Sequence, residues 1–171
     1  MSTNHVVRPS SARVVPMATG EASVSDLLQR YGFGSTPFIG TENATYERRL
    51  VFDKAIDPKL ASARERFEAF SSSVRDILAR RWVLTKSTYE RENAKRIYYL
   101  SMEFLIGRSF ASNVTNLLLD PLARYAAPAF GIDWPELVEQ EPDAGLGNGG
   151  LARLAACYLD SMATMQLPAT G

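Results

Sequence analysis

The stretch "GLGNGGLARLAAC", residues 145 to 157, places four glycines within six positions and then turns into a helix-like apolar run. Without a Cβ, Gly149 and Gly150 let a ligand approach the backbone closely. The helix that follows leaves its first N–H groups unpaired, with partial positive charge at its start, so an anion such as phosphate suits that place. A plain tight turn accounts for the same residues. Gly145, Gly147 and Gly150 also match the letters of a dinucleotide fingerprint. That chemistry needs a strand leading into the glycines and an acid about twenty residues on. Here the preceding "ELVEQEPDA", with its acids and Pro142, makes a poor strand, and Asp160 lies within the helix itself. A Walker loop fails too, because no Gly-Lys-Ser/Thr follows.

Other reactive residues are few. Cys157 is the one cysteine, set in an apolar run, and is expected to be an inert buried thiol; no disulfide framework exists and a reducing compartment fits. His5 is the one histidine and falls in an N-terminal tail, which removes histidine-based triads and most zinc sites. The four lysines, Lys54, Lys59, Lys86 and Lys95, each stand beside charged or polar residues. None has the apolar setting that lowers a lysine pKa for Schiff-base chemistry. Lys+Arg and Asp+Glu both number 19, so charge makes no general case for nucleic acid or an anionic membrane. No apolar stretch has the length of a membrane span. The closing "LPATG" matches a sortase signal in letters but lacks the hydrophobic tail such a signal needs.

The elements that must position the glycines follow from patterning. With 171 residues and 46% hydrophobic content, the chain can bury one ordinary core. Residues 1–22, rich in Ser, Pro and Val, read as a disordered leader. A short helix is expected from Val24 to Tyr31, stopped at Gly32-Phe33-Gly34, and a charged segment at 45–52 is open to helix or extended structure. Asp57-Pro58 reads as a helix start, followed by Leu60, Phe67, Phe70, Val74, Ile77, Leu78 and Trp82 at helical spacing. Ile97, Tyr98, Tyr99 and Leu100 read as a buried strand, and Glu103 just beyond as a strand-end surface charge. Helices are expected over 108–119 and 123–130, from Asp133 and Pro135, and over 150–165, with Leu151, Leu154, Ala155, Leu159 and Met162 as the apolar stripe of the last. One strand among about five helices leaves its backbone groups unpaired, so its partners are expected from sequence beyond this chain.

Three segments carry a resemblance. "EPDAGLGNGGLARLAACYLDSMAT", "KRIYYLSMEFLIGRS" and "RRWVLTKSTY" resemble, in the same order, hallmark stretches of the α-1,4-glucan phosphorylases, the glycogen/starch phosphorylase family. The likeness covers roughly residues 45–169. It implies an α/β fold: residues 23–171 would form part of the N-terminal Rossmann-like lobe of a two-lobed GT-B glycosyltransferase, the piece itself being mostly helical with about one strand. It implies retaining phosphorolysis of terminal α-1,4 links of glycogen, starch or maltodextrin by inorganic phosphate, yielding glucose 1-phosphate, in a cytoplasmic homodimer. It implies pyridoxal 5'-phosphate, attached to a lysine that lies beyond residue 171, so this chain alone is expected to be inactive. By position, Asn148, Gly149, Gly150 and Leu151 would face the substrate phosphate and glucose, and Glu103 matches an acid near the glucosyl site.

The chain also departs from the family. Ala152 replaces a further glycine, in a first helical turn that favours alanine. Lys86-Ser87 and Tyr89-Glu90 stand where animal members have the Gln-Gln and double tyrosine of an AMP site, and the leader lacks their phosphorylatable segment. A catalytically silent helical interaction module of phosphorylase ancestry is the competing expectation.

Overall fold

Local chemistry sets the longest element. Ser62 accepts a hydrogen bond from the Glu65 N–H, and the Glu65 carboxylate accepts from the Ser62 N–H at 2.9 Å, a reciprocal capping box. In the computed structural model, which describes residues 38–40, 44–147 and 149–171, this box starts a 29-residue helix, Ala63–Arg91. The leader, the helix expected at 24–31, His5 and Asn148 lie outside the described residues.

The helix does not begin at Asp57-Pro58 as the sequence suggests. Asp57 instead closes a turn: its side chain accepts from the Lys59 N–H and its carbonyl from the Leu60 N–H, both at 2.9 Å. Leu60 is left 80% exposed. The expected spacing holds from Phe67 onward, with Phe67, Phe70 and Val74 buried, but Leu78 and Trp82 face outward.

The charged segment before it is helical, as α1, Thr45–Arg48, continued by a π-helical turn, Arg49–Asp53; Ala63–Arg91 is α2. After it come β1, Ile97–Tyr98, and β2, Phe104–Gly107. Next are α3, Phe110–Asn116, a π-helical turn, Leu122–Ala126, and the short α4, Ala127–Ala129. The helix expected over 108–119 is therefore shorter, and that over 123–130 is partly a π turn. Then follow α5, Trp134–Glu139, β3, Ala144–Leu146, α6, Gly150–Thr164, and β4, Ala169–Thr170. Asp133 caps α5 by accepting from the Glu136 N–H at 2.9 Å, with Pro135 in the first turn. Glu141 accepts from the N–H groups of Ser109 and Phe110 and so caps α3 from a distant part of the chain.

The core lies among the helices. Phe70 is fully buried, edge-on to Phe38, Tyr46 and Phe110, with Trp134 tilted against it. Leu50, Val114 and Ile132 close around this cluster.

The strands overturn the expectation of a lone strand with partners outside the chain. β1 pairs parallel with β4, Ile97 opposite Ala169 and Tyr98 opposite Thr170. β2 pairs antiparallel with β3, Phe104 opposite Leu146 and Leu105 opposite Gly145. The partners "AGL" and "AT" carry residues depleted from strands, so pattern alone does not mark them. Nor is the 97–100 run buried: Tyr98 is 66% and Leu100 92% exposed.

Candidate glycine-turn site

The β2–β3 ladder builds the site. With Phe104 opposite Leu146, Glu103 at the entry to β2 meets Gly147 at the exit from β3. A Cβ on Gly147 would lie 2.5 Å from Cδ and 2.6 Å from Cγ of Glu103, and the backbone there has φ +83°. One on Gly145 would lie 2.7 Å from Leu105 Cδ1. Residues two apart on a strand share a face, so this alternation lets the β2 side chains lie flat against β3. Two glycines of the apparent fingerprint thus have a packing cause. Glu103 is half-buried against Gly147, rather than a free surface charge. The Ser101 hydroxyl orients its backbone, donating to the Glu103 carbonyl at 2.8 Å and accepting from the Glu103 N–H at 3.3 Å.

The next pair differs. Gly149 caps α6 with φ 86° and ψ −167°, a region open essentially to glycine alone, and no side chain caps the helix. Gly150 is the first helical residue, outside the left-handed region, and nothing lies within 4 Å of where its Cβ would be. Leu151 is 77% exposed. The first turn holds no acid. An open helix start, two residues further along the chain than Gly147, has first-turn N–H groups of the kind that can hold an anion. Of the expected site residues, Glu103 packs against Gly147, and Gly149, Gly150 and Leu151 form the start of α6 that follows it in the chain. Gly147 was missed as Glu103's partner, although its alternation with Gly145 was a usable signal.

The dinucleotide reading fails on topology. A strand does lead into the glycines, contrary to the sequence reading, but it is antiparallel to β2, and α6 leads on to β4, which pairs with β1. The fingerprint needs a parallel βαβ unit.

α6 keeps part of its expected stripe, with Ala155 buried and Leu159 and Met162 half-buried, and departs from it in its first turns. Its buried residues are Ala152, Ala155 and Ala156, while Leu151 and Leu154 face outward. The small side chains face the interior, while Leu151 and Leu154 are turned away and Leu159 packs at the C-terminal end beside Gly171. Cys157, expected to be buried, is also exposed. Ala152 is fully buried, so its methyl group does not narrow the approach to Gly150. Among the described residues no group of three or more His, Cys, Asp or Glu could hold a metal ion, and no helix is long and apolar enough to cross a membrane.

Comparison with known proteins gives this geometry a context. Residues 127–171 match the family model for carbohydrate phosphorylases. The chain is 51% identical over 123 residues to a glycogen phosphorylase of Chlamydia pneumoniae, covering 72% of this chain and 15% of that protein. It is 43% identical over 153 residues to the muscle form of human glycogen phosphorylase, covering 86% of this chain and 18% of that protein. The chain thus spans less than a fifth of the length of either relative. Identity at this level across most of its residues settles its ancestry: the chain belongs to the glucan phosphorylase family.

Proposed function

We propose that this chain supplies the phosphate- and glucosyl-facing wall of an α-1,4-glucan phosphorylase, as part of the N-terminal Rossmann-like lobe of a GT-B fold. The observation that carries the reading is the open Gly149–Gly150 helix start, which follows two residues along the chain from Gly147, the glycine packed against Glu103. The N–H groups of Gly150 and Leu151 hold inorganic phosphate, Asn148 borders the turn, and the Glu103 carboxylate steadies positive charge developing on the glucosyl carbon. The reaction is phosphorolysis of terminal links of glycogen, starch or maltodextrin to glucose 1-phosphate, with retention. Family likeness alone supports a cytoplasmic homodimer as its setting.

Pyridoxal 5'-phosphate does not fit the lysines present. Lys54 is paired with Glu68, Lys86 lies over the Trp82 ring with its Nζ 5.7 Å from the centroid, and Lys59 and Lys95 are exposed. None is in the apolar setting that a Schiff-base lysine needs. The attachment point therefore belongs to other sequence, and the chain by itself is inactive.

The test grafts this chain into a longer family member in place of the matching segment and compares Glu103→Gln with the unmutated graft. Loss of one preorganised charge contact predicts a fall in kcat of roughly a hundredfold. Unchanged glucose 1-phosphate release would turn the reading toward the interaction module.

A further inference from the structure

Arg153 reaches from α6 to the backbone of β2. β2 is irregular at Ile106: Leu105 faces Gly145 and Gly107 faces Ala144, so two steps on β2 oppose one on β3. A bulge of this kind leaves backbone groups outside the ladder. Arg153 Nη1 donates to the carbonyl oxygens of both Leu105 and Ile106 at 3.3 Å. The backbone N–H of the same residue donates to the Gly149 carbonyl at 3.4 Å. One residue is thus tied through its side chain to the strand that bears Glu103 and through its main chain to the residue that caps α6.

The electrostatics make this placement informative. A cation near a helix N-terminus is on the unfavourable side of the helix dipole, and the first turn of α6 holds no acid to offset it. Arg153 forms no ion pair with a carboxylate among the described residues, and its guanidinium is directed to carbonyls instead. Both contacts come from Nη1, whose two N–H groups point in directions fixed by the guanidinium plane; a lysine ammonium has donors enough, but on a shorter stem without that fixed plane.

Resting on the proposed phosphate-binding role of the glycine turn, we infer that Arg153 is its positioning residue, a clamp that fixes the start of α6 at a set distance from Glu103. It acts through β2 and Gly149, not as a phosphate ligand.

The experiment uses the 171-residue chain, with Arg153→Lys and Arg153→Met variants, inorganic phosphate as the probe, and two NMR readouts. Amide hydrogen exchange over 103–107 and 149–153 reports the clamp, with 67–74 as an internal reference for folding. Phosphate-induced shifts of the Gly149, Gly150 and Leu151 amides report the site. Losing a charged hydrogen bond predicts exchange about tenfold faster or more in both variants over the two segments and not over 67–74. Phosphate binding at the glycine amides should weaken about tenfold in both. Unchanged exchange in Arg153→Met overturns the clamp. Full restoration of both readouts by Arg153→Lys also overturns it, since charge alone then suffices. If the unmutated chain shows no response to phosphate, the phosphate reading fails on its own, while the exchange comparison still decides the clamp.

Discussion

At the residue scale the glycines divide by cause, and each cause has its own consequence. Gly147 is held by a positive φ and by Glu103 lying where a Cβ would go. Gly147→Ala should therefore lower unfolding free energy by about 2 kcal/mol or more, from the left-handed backbone penalty and the displaced carboxylate. Gly150 has neither constraint. Gly150→Ala should leave stability unchanged or raise it by up to about 1 kcal/mol through helix propensity. Urea unfolding of the two variants side by side distinguishes them; equal destabilisation would mean that Gly150 is also structural. Tyr46 gives a pH test remote from the site. Its side chain is buried beside Arg66, and burial pushes its pKa up to about 12, although the charge of Arg66 pulls it down. Because the folded chain keeps this proton more tightly than the unfolded one, the stability it confers is intact below pH 10 and is lost between pH 10 and about 12. The loss should reach about 2–3 kcal/mol, and Tyr46→Phe should abolish it. A variant with the same alkaline decline would assign that decline to other groups.

At the element scale, what local chemistry decides was legible and what pairing decides was not. Asp133 with Pro135 marks α5, and α6 was expected over 150–165 and spans Gly150–Thr164, because caps and helical spacing are written within a few residues. The start of α2 was misplaced because Asp57-Pro58 and Ser62-x-x-Glu65 are both start signals. The second wins because it satisfies two N–H groups reciprocally, whereas Asp57 is used up in its own turn. Ser62→Ala should cost about 1 kcal/mol of stability and speed amide exchange in the first turn of α2; no change in either would shift the helix start elsewhere. The strands were hidden for a different reason. Their partners are an Ala-Gly-Leu and an Ala-Thr, and only contacts made across some forty to seventy residues turn them into strands. Leu151 and Leu154 were misjudged on the same ground, since the side of α6 that is buried is set by what it packs against, and there Ala152 and Ala155 face inward. The site was half legible: the glycines and Glu103 can be found in the sequence, but the contact between Glu103 and Gly147, and the reach of Arg153 to the bulge, exist only once β2 and β3 have paired.

At the scale of the whole molecule, apolar side chains stand exposed both around the helices, at Phe52, Leu60 and Leu118, and at the strand end, among the described residues. Tyr98, Leu100, Met102, Leu146, Leu151 and Met165 are each more than 60% exposed and all lie on the strands, on α6 or in the segments flanking them. Apolar surface of this extent associates or binds hydrophobic dyes in water. The chain alone should brighten such a dye and sediment with rising mass as concentration increases, and Leu151→Ser with Met165→Ser should reduce both; a dye-silent monomer at all concentrations would contradict the exposure described. The central claim is that the glycine turn is an anion cradle rather than a turn, and Gly150→Val in the graft tests it most directly, because a branched side chain enters open space where phosphate must approach. Glucose 1-phosphate release should fall roughly a hundred- to thousandfold, as for loss of an oxyanion-type donor, while the melting transition stays in place. Near-normal release by folded mutant enzyme would contradict it.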